Sequence, residues 1–426
     1  MLYTIYLATI ALVQIGFSYW LSVAVFGCCA ICLVNRQNIA LLFTNFFFLR
    51  ASAAIALPVA VAISPDSNFE DILVGCREGL FLFLITGSFY WQWKSIKSNG
   101  AADEPAAKVG IFAGSMLILV LIQTLALRSG QYFGIPRDWF VSNRNTIPTE
   151  LDLANGFMRP NGTFGEPSYL GGVCLMLVFA LSPSLINSRK ARRAIATLAA
   201  TALFSTSFSG VLSIASYLLR MTWKQVNPKW LVAGFSIVMS AVGVALLTID
   251  NEISNRLAAV FSGNDVSAWA RIFAPILLLP EVFSHSLAGY PKSVFTQLGY
   301  IPSIGVRADE LGHNALLNLL VGYGVFGLPA LFTLFYAAKG ADRKLFVFWI
   351  ACQNGALLAP DKFAIVSFGF MLHNSLSDYR KLSTNERTRR FPSYITNPHA
   401  QYACAPHEPP HTSSADGTTP APDQRR

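Results

Sequence analysis

The segment Arg159-Pro160-Asn161-Gly162-Thr163-Phe164-Gly165-Glu166-Pro167-Ser168 sets a cation and a carboxylate seven residues apart at the edge of a long apolar run. A loop stiffened by proline and loosened by glycine, carrying one fixed positive charge and one proton acceptor, suits a site that grips an anion and moves a proton. Further residues of the same kinds recur later: Arg271 within a mostly apolar run, Arg307 among the loop charges Asp309 and Glu310, and His313 just before an apolar stretch. Arg50 stands apart, near the middle of the apolar stretch 39–63.

The elements that position these residues follow from composition. Hydrophobic residues make up 53% of the 426, charged residues only 13%, and the mean hydropathy is +0.45. That is more apolar surface than one soluble core could bury, so the chain reads as a polytopic integral membrane protein. No alternating barrel pattern is present, and in lipid only helices then satisfy their own backbone groups, which makes the expected fold all-α. The first residues lack the basic start and small-residue cleavage site of a signal peptide and read as a retained span.

Basic loops set the topology. Lys94 to Lys108, Arg189 to Arg193, Arg220 to Lys229, Lys339 to Lys344 and the tail after Arg380 should all face the cytoplasm. Between the second and third of these lies Ala194 to Leu219, too short for two full spans, so it is expected to form a hairpin of two short helices turning at Ser205-Thr206-Ser207-Phe208-Ser209-Gly210. Leu345 to Leu376 should turn likewise at Ala359-Pro360-Asp361-Lys362, on the outer side. Other spans fall near 2–17, 18–34, 39–63, 71–93, 109–127, 169–187, 230–248 and 314–338, with 2–34 alternatively one long tilted helix. The sum is about twelve crossings in residues 1–382, with both termini cytoplasmic.

Two long outer loops, 128–168 and 249–313, hold most of the polar content outside the basic loops, and Ala268 to Phe283 within the second suits an interfacial helix. Residues 383–426 carry Pro, Ser, Thr and charge without apolar periodicity and are expected to be a disordered basic cytoplasmic tail meeting membrane lipid. The net charge of +9 is explained by that tail and the inner loops, so nucleic acid is not expected as a partner. Six of the seven cysteines sit in apolar segments, where a thiol is a small hydrophobe and neither a disulfide framework nor a zinc site is indicated.

Arg159-x-x-Gly162-Thr163-Phe164-x-Glu166-Pro167-Ser168-x-Leu170 resembles the start of the outer-loop signature of bacterial O-antigen and exopolysaccharide polymerases of the Wzy type. Three more stretches are similar in the same order: the small-residue turn Ser205 to Gly210; Ser267-Ala268-Trp269-Ala270-Arg271; and Gly312-His313-Asn314 followed by Gly324-Val325-Phe326-Gly327. Together they span roughly residues 109 to 376. The resemblance implies a glycosyltransferase of the bacterial inner membrane that joins undecaprenyl-diphosphate-linked repeat units into O-antigen, capsule or exopolysaccharide, by inverting, metal-independent transfer at the outer face and with no cofactor. A chain-length regulator and a flippase of the same pathway are candidate partners. O-antigen ligases of the same superfamily are the alternative. They commonly carry Arg in the small-residue turn, where this chain has Phe208 between Ser207 and Ser209, so polymerase is preferred.

In that chemistry a diphosphate leaving group gains negative charge, which planar guanidinium forks stabilise. Arg159 and Arg271 are the expected grip, with Arg307 and Arg50 as further ligands. The acceptor hydroxyl must lose a proton, and Glu166 and His313 are both candidates to take it. Each has a plainer reading: loop arginines are more often surface charges, a histidine at a helix start more often bonds a carbonyl, and Arg50 could be paired inside the bundle. A different class, a lipid-linked oligosaccharide flippase, would favour internal repeats and charges deep in the bundle, whereas the halves of this chain do not resemble each other.

Overall fold

A computed structural model describes residues 2–17, 22–34, 36–65, 67–93, 103–140, 153, 159–185, 188–205, 207–223, 274–290, 300–301, 306–307, 314–353 and 357–390. These are mostly helical. The helices are α1 Leu2–Ala11, α2 Val23–Val34, α3 Arg36–Leu42, α4 Phe47–Ile63, α5 Phe69–Ser88, α6 Asp103–Arg128, α7 Pro167–Leu181, α8 Arg189–Phe204 and α9 Phe208–Trp223. They continue with α10 Ala274–His285, α11 Ala315–Tyr323, α12 Gly327–Ala337, α13 Ala341–Gln353 and α14 Pro360–Arg390. One short antiparallel pair, Tyr300–Ile301 with Val306–Arg307, lies between α10 and α11. The chain divides into two compact units, Met1–Lys381 and Leu382–Arg426.

Among the described residues three helices are long and apolar enough to cross a membrane: Asp103–Arg128, Pro167–Ser184 and Ala315–Ala337. Phe47–Ile63 is a shorter apolar helix. The last of the three long segments is α11 and α12 joined by the 3-10 turn Gly324–Phe326.

α7 lies at the centre of the first unit. Every one of its residues is buried, and it packs against α8, α9 and α13. Apolar on all sides, it has the pattern of a helix with neighbours all round. At its far end Phe179 is stacked between Phe346 of α13 and His373 of α14, both with ring centroids 4.2 Å away.

The expected hairpin at 194–219 is present as α8 and α9, with the break at residues 205–207. Ser205 Oγ donates to Ala202 O at 2.8 Å, and Ser207 Oγ accepts from Gly210 N at 3.2 Å. These local hydroxyl bonds satisfy backbone groups that the break would otherwise leave unpaired inside the bundle. α8 follows the first half of α6: Ser188 Oγ donates to Asp103 Oδ1 at 2.6 Å, and Thr201 Oγ1 reaches Ala113 O at 3.5 Å. The turn then meets α7, where a Cβ built on Gly171 would lie 2.7 Å from Gly210 Cα. Only glycine on both helices allows that crossing.

Several expectations differ from the observed elements. Residues 2–34 are not one long helix. Bridges Gly16↔Ser22 and Ile15↔Phe140 turn the chain back between α1 and α2. The stretch 39–63 is interrupted because Asn45 and Phe46 take left-handed backbone angles, φ 44 and 61, which end α3 and start α4; hydropathy does not register such a break. α14 runs on to Arg390, past the expected start of the tail at 383, through Ser, Thr and Asn as well as the better helix formers Glu386, Arg387, Arg389 and Arg390. The expected span 230–248 lies outside the described residues, and of the expected interfacial helix only the part within α10 is described.

Replacing Gly171 by leucine should separate α7 from α9 and cost about 1–3 kcal/mol or more, read as a lower melting temperature in detergent. Gly114→Ala on α6, where nothing lies within 4 Å, should be neutral or slightly stabilising.

Candidate functional site

The loop that carries Arg159 and Glu166 is held from three directions. Gln123 of α6 clamps it: Oε1 accepts from Asn161 N at 3.1 Å and Gly162 N at 2.8 Å, while Nε2 donates to Gly162 O at 2.8 Å. Gly162 has φ +64, and a Cβ there would sit 3.3 Å from Leu170 Cδ2. From the α1 side, Thr163 Oγ1 donates to Ala11 O at 2.6 Å, and Gln14 Oε1 accepts from Gly165 N at 2.8 Å. Phe164 is fully buried and stacks on Tyr169 with centroids 5.5 Å apart. A segment that hydropathy alone would leave in solvent is therefore buried, with Asn161 2% and Glu166 8% exposed.

Glu166 is the N-cap of α7. Its backbone is extended, φ −140 and ψ 140, Pro167 follows at the first helical position, and its carbonyl accepts from Tyr169 N at 3.0 Å. Its side chain does not cap its own helix. The residue thus stands at the positive end of a buried helix, where negative charge is favoured. Two residues on, Ser168 Oγ is buried with no hydrogen-bond partner among the described residues. Such a hydroxyl is costly unless something else bonds it.

The partner element is the start of α14. Tyr169 Oη donates to Asp361 Oδ2 at 2.7 Å, and Lys362 Nζ lies 4.0 Å from the centroid of the Tyr169 ring. Lys362 is 3% exposed, and Asp361 and Glu166 both act on it electrostatically. Cys28 Sγ of α2 donates to Pro360 O at 3.4 Å and fixes the turn from behind. The turn expected at residues 359–362 thus closes onto the Glu166 end of α7.

The other expected residues are placed as follows. Arg159 is half-buried at the start of the tethered loop. Arg271 and His313 lie outside the described residues. Asn314, next to His313, caps α11 by accepting from Leu316 N at 3.1 Å and Leu317 N at 3.3 Å. Arg307 belongs to the second strand of the short pair, and its side chain lies outside the described residues.

Arg50 is fully buried and is not brought to Glu166. Its Nε donates to Thr86 Oγ1 at 3.1 Å, Nη1 to Leu42 O at 3.0 Å and Nη2 to Phe83 O at 2.6 Å, with the guanidinium 4.4 Å from the Phe83 ring centroid. These bonds tie α3, α4 and α5 together. Asn374 of α14, which holds the Phe89 and Trp91 carbonyls just beyond α5, lies twelve residues past Lys362, about 18 Å along a helix. Arg50 therefore belongs to the opposite end of the bundle.

Tyr169, Asp361 and Lys362 stand at the candidate site, a place that sequence reasoning does not give them, although Asp361 and Lys362 belong to the expected turn. A charged pair following proline inside an otherwise apolar stretch is the available signal. Among the described residues no group of three or more His, Cys, Asp or Glu side chains could hold a metal ion.

Residues 1–347 match the family described as WcaD colanic acid polymerase. No curated protein matches the chain.

Gln123→Met keeps the volume but removes all three bonds to the loop. Faster amide exchange at Asn161 and Gly162 is expected, with a stability loss of about 1–3 kcal/mol, measurable by hydrogen exchange and thermal melting.

Proposed function

From the premise that this chain belongs to the WcaD colanic acid polymerase family, we propose that it polymerises undecaprenyl-diphosphate-linked repeat units into an exopolysaccharide at the outer face of the bacterial inner membrane. A bundle of about twelve crossings with both termini cytoplasmic would put the Glu166 end of α7 on that face, following the basic loops. The observation that carries the reading is Glu166 itself: a carboxylate at the N-terminus of a buried helix, not used to cap it, beside a Ser168 hydroxyl that has no partner among the described residues.

In the proposed reaction, metal-independent and inverting, a sugar hydroxyl of one repeat unit attacks the anomeric carbon of another. The bond from that carbon to the diphosphate oxygen breaks, and its electron pair leaves with undecaprenyl diphosphate. Arg159 and Arg271 grip the diphosphate through paired N–H donors, with Arg307 as an additional ligand, and stabilise the charge as it develops. The hydroxyl proton passes to Glu166 or His313, a contribution of roughly 10²–10⁴-fold. Arg50, bonded within the bundle at the other end, is assigned to packing. A flippase and a chain-length regulator would act before and beside the polymerase.

Reconstitution with purified lipid-linked repeat units tests the reading. A ladder of glycan lengths is expected; a single transfer to a lipid acceptor would instead mean ligase, and lipid movement without transfer would mean flippase. In the same assay Glu166→Gln should abolish the ladder with donor still bound, and Arg271→Lys should impair it strongly because the bidentate fork is lost. If His313→Gln abolishes it while Glu166→Gln only weakens it, the base is His313. Normal ladders from both variants would exclude this site.

A further inference from the structure

Arg77 and Glu78 interrupt the apolar length of α5, with Arg77 two turns, or about 12 Å, from the first residue Phe69. Charges at such a place in a spanning helix need a partner or a use. Glu78 has a firm partner: Tyr323, the last residue of α11, donates from Oη to Oε2 at 2.8 Å. Arg77 Nη2 lies 3.5 Å from the other carboxylate oxygen, Oε1, which is long for a charge-assisted hydrogen bond. The carboxylate is therefore fixed, and its hold on the guanidinium is loose.

The periodicity of α5 places Arg77 more narrowly. Leu73 and Leu80, four residues before it and three after, are 53% and 55% exposed and mark the stripe that would face lipid. One turn after Arg77, Phe81 is buried, with its ring centroid 6.3 Å from that of Phe363, the residue next to Lys362. Arg77 thus stands between the lipid stripe and the side of α5 that meets the Pro360 turn. The opposite flank is closed, since a Cβ on Gly79 would collide with Ala54 O of α4. The side chains of Arg77 and Glu78 remain 24% and 23% exposed, so what reaches them comes from the lipid side. In the topology proposed above α5 starts at the outer face, and because helical side chains lean toward the N-terminus, Arg77 leans toward the outer headgroup layer.

We propose that Arg77 is a seat for the phosphate groups of a lipid entering sideways from the outer leaflet, and that its occupant is the diphosphate of the lipid-linked repeat unit that accepts the glycan. The identity of that lipid rests on the polymerase reading. Joining two lipid-linked units brings two diphosphates to one site: one departs, and the other stays on the acceptor. Arg159 and Arg271 are assigned to the departing group, and Arg77 takes the one that stays. No bond breaks at this second headgroup, so it needs a counter-charge that exchanges readily. Glu78 supplies the exchange, holding the guanidinium while the seat is empty and keeping its bond from Tyr323 when the diphosphate displaces it.

Native mass spectrometry of full-length protein in nanodiscs, titrated with undecaprenyl diphosphate or with phosphatidylglycerol, tests the seat by counting retained lipids. Wild type should fill two undecaprenyl diphosphate sites. Arg77→Gln should need about tenfold more lipid to fill the second, the loss of one hydrogen bond to a charged group. Glu78→Gln keeps an acceptor for Tyr323 but removes the competing charge, so the second site should fill at lower concentration. In the polymerisation assay Arg77→Gln should lower kcat/KM mainly through KM. A packing role alone would lower the melting temperature of both variants without moving lipid retention in opposite directions. Unchanged filling in Arg77→Gln overturns the inference, as does a change confined to phosphatidylglycerol, which would mean ordinary lipid contact. Should Arg77→Gln fail to accumulate, unchanged filling in Glu78→Gln overturns it instead. Two filled sites that depend on Arg77, in a protein that builds no glycan ladder, would sink the polymerase reading and leave the seat. A normal ladder with filling indifferent to Arg77 sinks the seat alone.

Discussion

The enclosure of α7 is the constraint on which the rest of the first unit depends. A helix with no lipid-facing side can be kept in place only by neighbours on every side, and here α8, α9 and α13 pack against it while Phe179 is stacked between α13 and α14. Apolar contact alone gains little between helices that could equally face lipid. What selects this arrangement is close fit: the Gly171–Gly210 crossing, ring stacking at Phe179, and hydrogen bonds that would be unsatisfied in hydrocarbon. With the helix fixed, its N-terminus is fixed too, and with it the carboxylate of Glu166.

α14 connects the two ends of the bundle. Near its start Asp361 and Lys362 engage Tyr169. Farther along, Asn374 holds the carbonyls of Phe89 and Trp91, Ser375 Oγ accepts from Trp93 N, and Asp378 accepts from Gln92 Nε2 at 2.8 Å. Arg50 works in that second layer. Its three acceptors are neutral, so it keeps its charge by hydrogen bonding and a ring face rather than by an ion pair. One helix thus carries Asp361 and Lys362 at one end and, at the other, a hydrogen-bonded lattice that includes Asp378 and the Arg343 bond to Asn374, and the apolar length between them keeps the two apart.

Much of this is legible in the amino-acid sequence. Basic residues on both sides of Ala194 to Leu219 force a return, and the small polar residues from Ser205 onward mark where it occurs. The bend ahead of α7 is readable from Glu166-Pro167, since proline at the first helical position leaves the preceding residue outside the helix. The turn at residues 359–362 is readable from its proline and charges. Their meeting is not. Which turns share a corner of a helical bundle is decided by packing over the whole chain, and nothing in local spacing joins Tyr169 to Asp361. The reversal between α1 and α2 and the left-handed pair Asn45-Phe46 are equally hidden, because apolar content continues through both. Arg50 is recognisable as a charge in an apolar stretch that needs partners, but the backbone carbonyls that serve it leave no trace in sequence.

The manner in which the 159–166 loop is tethered bears on how this site could change over evolutionary time. The bonds from Gln123 and Gln14 run to main-chain groups of Asn161, Gly162 and Gly165, groups that nearly every residue type possesses. Loop positions could therefore drift while the path stayed the same, except where the residue itself is needed, as at Gly162 with φ +64, Thr163 bonded to Ala11 O and the buried Phe164. The two glutamines, remote in sequence and touching no substrate in the proposed reaction, would hold the pattern. Specificity and position are thereby written in different places, and a lineage could revise the first without disturbing the second.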